Sequence, residues 1–345
     1  MASNFFCLDL GESYIKVADI IKKGDLFEAV NLGMIETDQT FFRGESEKII
    51  EKQAAIITKL LAQLKLVKKN VNIIIPDSYS YNQFVQMPHL NEKELLSAIR
   101  YQADQFIPMP LEEINLDIEI IREDEKNNKL LTLIAASPKK ITEKVEKLIE
   151  YAGLAPQSIE TEISAVGRTV SEIFKKIQAP SQTTSGILLI NINLTTSSLY
   201  FFDHREGLLT FSFNFNVGYN LFLKEIQVNL NVDQKKAEEL LKNFGFAKNT
   251  SYELQTILTP VIKDFLSEIQ KALTLLKEKG ASQIGKMYVF NEALRFHAVE
   301  EIIKRYFAIP TAPFDLYPFF VKNNVVESFK NQLGFFVSSV GGNLR

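Results

Sequence analysis

One cysteine, Cys7, stands among 345 residues, which excludes an internal disulfide framework and points to a reducing compartment. No apolar run reaches the ~18 residues that a transmembrane helix needs, so no membrane span is expected. The N-terminus lacks a basic segment followed by an apolar one. No signal peptide is therefore expected, and the expected location is the cytoplasm. Net charge is −3, too small to draw the chain to nucleic acid or to an anionic membrane. Its histidines, His89, His204 and His297, show no metal spacing with any Cys, Asp or Glu cluster. What remains, 46% hydrophobic and 23% charged residues, is the balance of an ordinary globular chain. Its length exceeds the ~250–300 residues at which single cores stop growing, so two or more domains are expected.

The stretch Phe5–Ile20 reads as two apolar strands joined by a tight polar turn, Asp9-Leu10-Gly11-Glu12-Ser13. Gly11 permits a turn that a β-carbon would strain, and such a tip aims consecutive backbone N–H groups at one spot, as a phosphate requires. Asp9, at the strand end, is placed to hold Mg²⁺ through water. Ser13 offers a hydroxyl and Lys16 a positive charge, and Glu12 and Tyr14 flank them in the candidate site. Taken alone, this reads more readily as an ordinary β-hairpin with a glycine turn.

A second copy, Gly186–Asp203, repeats the pattern: an apolar strand, a polar turn from Asn191 to Ser198, and another apolar strand. Two related hairpins half a chain apart imply two like domains with a cleft between them. This layout resembles the actin and sugar-kinase superfamily, in which two phosphate loops clamp a nucleotide. The expected class is thus α/β with an actin-like (ASKHA) fold. Its expected domains span 1–180 and 181–345, joined at the Ser/Thr/Pro-rich stretch Gln178–Ser185.

Between the hairpins, Leu26–Leu32 and Val71–Ile75 read as strands, and Ser46–Leu66 as an amphipathic helix. From about 76 to 155 an inserted α/β subdomain is expected. It comprises a strand Phe84–Met87, then a helix begun by a box of Asn91 and Glu94 with Leu95, Ile99, Ala103 and Phe106 on one face. That helix stops at Ile107–Pro110; strands Asn115–Arg122 and Lys129–Ala135 and a helix Pro138–Tyr151 follow. Helices are further expected over Glu160–Ile177, Asp233–Phe244, Thr259–Lys279 with Pro260 in its first turn, Glu292–Phe307 and Asn324–Leu333. Strands are expected over Leu208–Phe215 and Lys286–Phe290. Phe319-Phe320 and Phe335-Phe336 read as core more readily than as docking residues. The tail Ser338–Arg345 is short and not amphipathic, so membrane attachment is expected through a protein partner.

The central stretch Phe84–Ile121 carries a more specific signal. Glu94-Leu95, Ala98-Ile99, Ala103, Phe106-Ile107-Pro108, Pro110-Leu111-Glu112-Glu113 and Leu116-Asp117 resemble the inserted subdomain of the type IV pilus assembly protein PilM family, actin-like relatives of the cell-division protein FtsA. Ala135–Lys139 and Tyr151–Leu154 extend the likeness, which runs from about Phe5 to Leu316. The resemblance implies a cytoplasmic scaffold at the inner face of the membrane, within a pilus or secretion assembly platform. It further implies a groove in the first domain, beside the inserted subdomain, that binds the cytoplasmic tail of a PilN-like membrane protein. ATP with Mg²⁺ between the domains is implied too, without efficient turnover and with no catalytic residue assigned. Homo-oligomerisation is left open.

Asp9, Gly11, Ser13 and Lys16 match the family's first loop, but the second departs from it. Asn191-Ile192-Asn193 stands where the family has Asp-Ile-Gly, and an amide neither holds Mg²⁺ as a carboxylate does nor serves as a base. Thr195 and Thr196 remain as hydroxyl donors, and Val217-Gly218-Tyr219 keeps one glycine of a pair. Phe290-Asn291-Glu292-Ala293-Leu294 replaces a glycine-rich adenosine loop, while Glu239 and Lys242 persist on the helix that flanks adenine in relatives. Two alternatives to the scaffold therefore stand beside it: a working actin-like ATPase or small-molecule kinase, and a nucleotide-free structural component.

Overall fold

A computed structural model of the chain describes residues 4–175, 185–247 and 254–345, without the side chains of 92, 103–106 and 126. The expected linker, but for Ser185, the end of the helix expected to Ile177, and the helix-face positions Ala103 and Phe106 thus lie outside the described residues or side chains.

In the first half, β1 (Phe5–Leu10), β2 (Tyr14–Lys23) and β3 (Leu26–Glu36) form an antiparallel meander. Helix α1 (Glu47–Gln63) then leads to β4 (Asn70–Ile75), which lies parallel to β1. The inserted unit comprises β5 (Tyr81–Pro88), α2 (Glu92–Phe106), β6 (Ile114–Asp124) and β7 (Lys129–Pro138). Helix α3 (Lys139–Tyr151), β8 (Ala155–Thr161) and α4 (Glu162–Phe174) complete this half. The second half repeats the plan with β9 (Gly186–Ile192), β10 (Ser197–Asp203) and β11 (Leu208–Phe215), then helices α5 (Tyr219–Leu230), α6 (Gln234–Asn243) and α7 (Leu254–Glu278). Last come β12 (Ile284–Asn291), α8 (Val299–Phe307), β13 (Thr311–Pro313), α9 (Asn324–Ser328) and α10 (Val337–Gly342).

The two five-stranded sheets have matching orders, β3-β2-β1-β4-β8 and β11-β10-β9-β12-β13, and the insert is a three-stranded sheet, β5-β7-β6. Each large sheet is a hairpin meander extended by parallel strands, of which the inner β4 is buried and apolar while the edge strands β8 and β13 are part-exposed. β9 and β10 are buried along their whole length. One shared core lies between the sheets, where Phe27, Phe202, Phe290, Phe320 and Phe336 pack. Phe320, Phe335 and Phe336 belong to that core, as their sequence suggests, and part-buried Phe319 packs against it.

Local chemistry accounts for the helix starts. Asn91 and Glu94 form the reciprocal capping box: Glu94 N–H donates to Asn91 Oδ1 at 3.0 Å, and Asn91 N–H to Glu94 Oε2 at 3.2 Å. Asp233 caps α6 by accepting from Lys236 N–H at 2.8 Å.

Several expected boundaries move. The helix expected from Glu160 begins at Glu162, because Ile159–Thr161 pair in parallel with β4 as the end of β8. The helix expected from Glu292 is a short 3-10 turn, Glu292–Arg295, before α8. The chain breaks there because His297 N–H bonds to Leu241 and Ala298 takes φ 63°. Pro260 lies inside α7 rather than at its start, since buried Leu254 and Leu258 extend the apolar stripe one turn or more upstream. The helix expected over Asn324–Leu333 ends at Ser328. Helix α3, expected within the inserted unit, packs with α1 on the first sheet. The terminal segment, expected within 181–345, returns to the first sheet: Gly342 abuts Cys7, and Asn343 bonds to the backbone of Ala18 and Ile20.

Candidate functional site

The two hairpin tips face one another, and their side chains are largely buried. Asp9 and Lys16 form an ion pair at 3.0 Å with each side chain 3% exposed. Burial alone would lower the Lys16 pKa; the charges of Asp9 and Glu162 outweigh it and raise it. Asp9 also accepts from the hydroxyls of Ser338 and Ser339, delivered by α10. Across the cleft, Thr195 donates through its N–H (3.1 Å) and hydroxyl (2.6 Å) to Glu12, whose pKa is raised by burial. Gly218 is held against the second tip, where an added β-carbon would lie 2.4 Å from the Thr195 carbonyl carbon. Only glycine fits that approach.

The amides at 191, 193 and 291 join into one network. Asn291 Nδ2 donates to Asn193 Oδ1 at 2.6 Å and approaches Asn191 Oδ1 at 3.2 Å. Asn193 Nδ2 donates to Glu162 Oε2 at 3.0 Å, and Glu162 also accepts from the backbone N–H of Asp77. The Tyr200 hydroxyl donates to Asp77. Burial, then the charges of Asp77 and Asp9, push the Glu162 pKa up to about 7. Burial likewise raises Asp77.

The structure thus gathers Asp9, Gly11, Glu12, Ser13, Tyr14, Lys16, Asn191, Asn193, Thr195, Thr196, Gly218 and Asn291 around one seam. It leaves out Glu239 and Lys242, which sit exposed on α6 with Glu239 ion-paired to Lys236. Their neighbour Glu238 reaches inward instead, to Arg295 at 2.7 Å. Sequence reading missed Arg295, Glu162, Asp77 and Tyr200. No motif marks them, and only the buried α4 face around Glu162 offered a signal.

A magnesium–nucleotide complex fits this seam poorly. Asp9, the carboxylate expected to hold Mg²⁺, already accepts from Lys16 and two serine hydroxyls, all at Oδ2. Lys16 and Arg295, the cations enclosed in the seam, are already ion-paired. Ser13 Oγ, Thr196 Oγ1 and Tyr219 OH are buried without a hydrogen-bond partner, but three hydroxyls do not neutralise a polyphosphate. Among the described residues, no group of three His, Cys, Asp or Glu side chains is placed to hold a metal.

A second site lies beside the insert. β8 and β6 are edge strands of their sheets, and they flank a groove of about 550 Å³. Asn115, Asp117 and Glu119 line it from β6, Ile159 and Glu160 from β8, and Arg168 from α4. Arg168 is anchored through Nε to the Gly341 carbonyl at 2.9 Å and through its guanidinium to Glu160. Asp117 and Glu119 are exposed, so the groove presents unpaired peptide edges beside acidic side chains of β6, with Arg168 and Arg345 also in its lining.

Comparisons with known proteins agree with this architecture. The family model described as "Type IV pilus assembly protein PilM" matches residues 7–336. The solved structure "PilM-PilN type IV pilus biogenesis complex" aligns with a TM-score of 0.85 at 16% identity, covering 100% of this chain and 99% of that one. The ethanolamine utilization protein EutJ from Carboxydothermus hydrogenoformans aligns at TM-score 0.55 and 12% identity, covering 98% and 88%. MreB 5 of Spiroplasma citri bound to AMPPNP aligns at 0.52 and 12%, covering 99% and 95%. At such identities the structural likenesses show a shared actin-like fold.

Proposed function

The chain belongs to the type IV pilus assembly protein PilM family, and we propose that it is a scaffold of type IV pilus assembly that binds the N-terminal tail of a PilN-like membrane protein in the β6–β8 groove. The observation that carries the reading is the pair of unpaired strand edges across one groove. An extended peptide adds to such an edge through main-chain hydrogen bonds, and pockets for alternate side chains supply selectivity. Asp117 and Glu119 favour a tail with a free amine or basic residues near its start. The solved relative pairs a PilM with a PilN, which is the partner this groove suits.

No helix among the described residues is long and apolar enough to cross a membrane. A PilN-like partner then supplies the attachment, placing this chain at the cytoplasmic face. A working ATPase or kinase is the weaker reading, because Asn191 and Asn193 offer amides where a base or a metal ligand is needed.

Titration of the full-length chain against a labelled peptide of the PilN-like tail tests the proposal. Ser164 of α4 lines the groove, and Ser164→Tyr fills it. Saturable binding by the native chain, weakened at least about tenfold in Ser164→Tyr (~1.4 kcal/mol), is expected. Equal binding by both proteins would place the tail elsewhere.

A further inference from the structure

We propose that the interdomain cleft is closed by the chain's own side chains, with Asn291 and Arg295 bridging its walls, so that the placement of the two domains is set without nucleotide.

Asn291 adopts φ 63°, ψ −127°, a backbone conformation suited to glycine and costly for a residue with a β-carbon. Strain of ~1–3 kcal/mol persists only where the surroundings over-determine it. Here the determinant is its amide, which reaches Asn193 and Asn191 at 2.6 and 3.2 Å. Through Asn193 the path continues to Glu162 on α4, so one chain of hydrogen bonds crosses from the second domain to the first.

Arg295, four residues on, makes a second bridge. Its guanidinium lies 4.4 Å from the Tyr219 ring centroid and 5.6 Å from that of Tyr14, and pairs with Glu238 (2.7 Å) and Glu292 (3.0 Å). Tyr14 comes from the first hairpin and the other groups from the second domain. Two aromatic rings and two carboxylates thus surround this guanidinium.

The ion pairs leave little for a polyphosphate to bind: Lys16 is held by Asp9, and Arg295 by Glu238 and Glu292.

Thermal melting of the full-length chain with and without millimolar Mg-ATP or Mg-ADP, paired with Asn291→Gly, provides the test. A nucleotide present at a hundred times its Kd would raise the melting temperature by about 5 °C. The expected result is a shift under about 1 °C for the native chain. Asn291→Gly, which relieves backbone strain but removes the bridging amide, is expected to melt lower than the native chain. A nucleotide-dependent rise in the native chain would overturn the proposal. So would an Asn291→Gly variant that melts at or above the native temperature, since strain relief would then outweigh the bridge. The nucleotide measurement needs no variant, so it decides the matter even if Asn291→Gly does not fold. Neither result bears on peptide binding in the β6–β8 groove.

Discussion

Glu12 and Thr195 join the tips of the two hairpins: the carboxylate of one accepts both the N–H and the hydroxyl of the other, at 3.1 and 2.6 Å. The contact spans the domains, and its acceptor is a carboxylate whose pKa is raised by burial. Bonds to a buried charged group contribute ~1.5–3 kcal/mol. A double-mutant cycle of Glu12→Gln and Thr195→Val in urea unfolding should give a coupling energy of about 1–2 kcal/mol. Additive losses would mean that the tips touch without holding one another.

Glu162 gives the seam a pH dependence. Its native pKa of about 7 exceeds the ordinary glutamate value of 4.5, so between those values the folded chain binds more protons than the unfolded one. Stability from this group therefore falls as pH rises through that window and levels off above it. Glu162→Gln keeps an acceptor for Asn193 and removes the titration. Its melting temperature, relative to the native chain, should climb from pH 5 to pH 8. A constant difference across that range would show that Glu162 does not titrate there.

The Asp9–Lys16 pair is buried, so removing one partner leaves an uncompensated charge. Lys16→Met should cost ~3–5 kcal/mol in chemical unfolding. Adding Asp9→Asn should recover most of that loss, because asparagine still accepts from Ser338 and Ser339. A double variant as unstable as the single one would contradict a charge-based cost.

Much of this was legible in the sequence. The paired hairpins, the capping box at Asn91 and the insert strands are local patterns, and local patterns survive into the structure. The seam was legible only on its loop side. Asp9 and Lys16 flank the Gly11 turn, and Asn191 and Asn193 open the polar turn of the second hairpin. Glu162, Asp77, Tyr200 and Arg295 reach the same place from other elements and carry no spacing signal. The terminal segment misled for a related reason: Ser338–Gly342 has no apolar stripe, yet it is buried because its small residues let α10 lie against α4 and β1. Amphipathicity reports a helix packed on one face, not one enclosed on all sides.

That enclosure makes Gly341 intolerant of substitution. An added β-carbon would sit 1.8 Å from the Ala165 carbonyl oxygen, and a clash with backbone cannot be relieved by a rotamer change. Gly341→Ala should lower stability by about 3 kcal/mol. Gly167→Ala, on the same α4 helix, meets only a Leu209 side-chain carbon at 3.5 Å and should be neutral or stabilising. Comparable losses in both variants would contradict the packing seen for α10.

Hydrogen–deuterium exchange of the full-length chain with and without the PilN-like tail peptide tests the scaffold reading most directly. Slower exchange over 115–119 and 159–161 is the expected result, since a strand added there would pair the free edges of β6 and β8. Protection confined to other elements, with these two edges unchanged under saturating peptide, would contradict it.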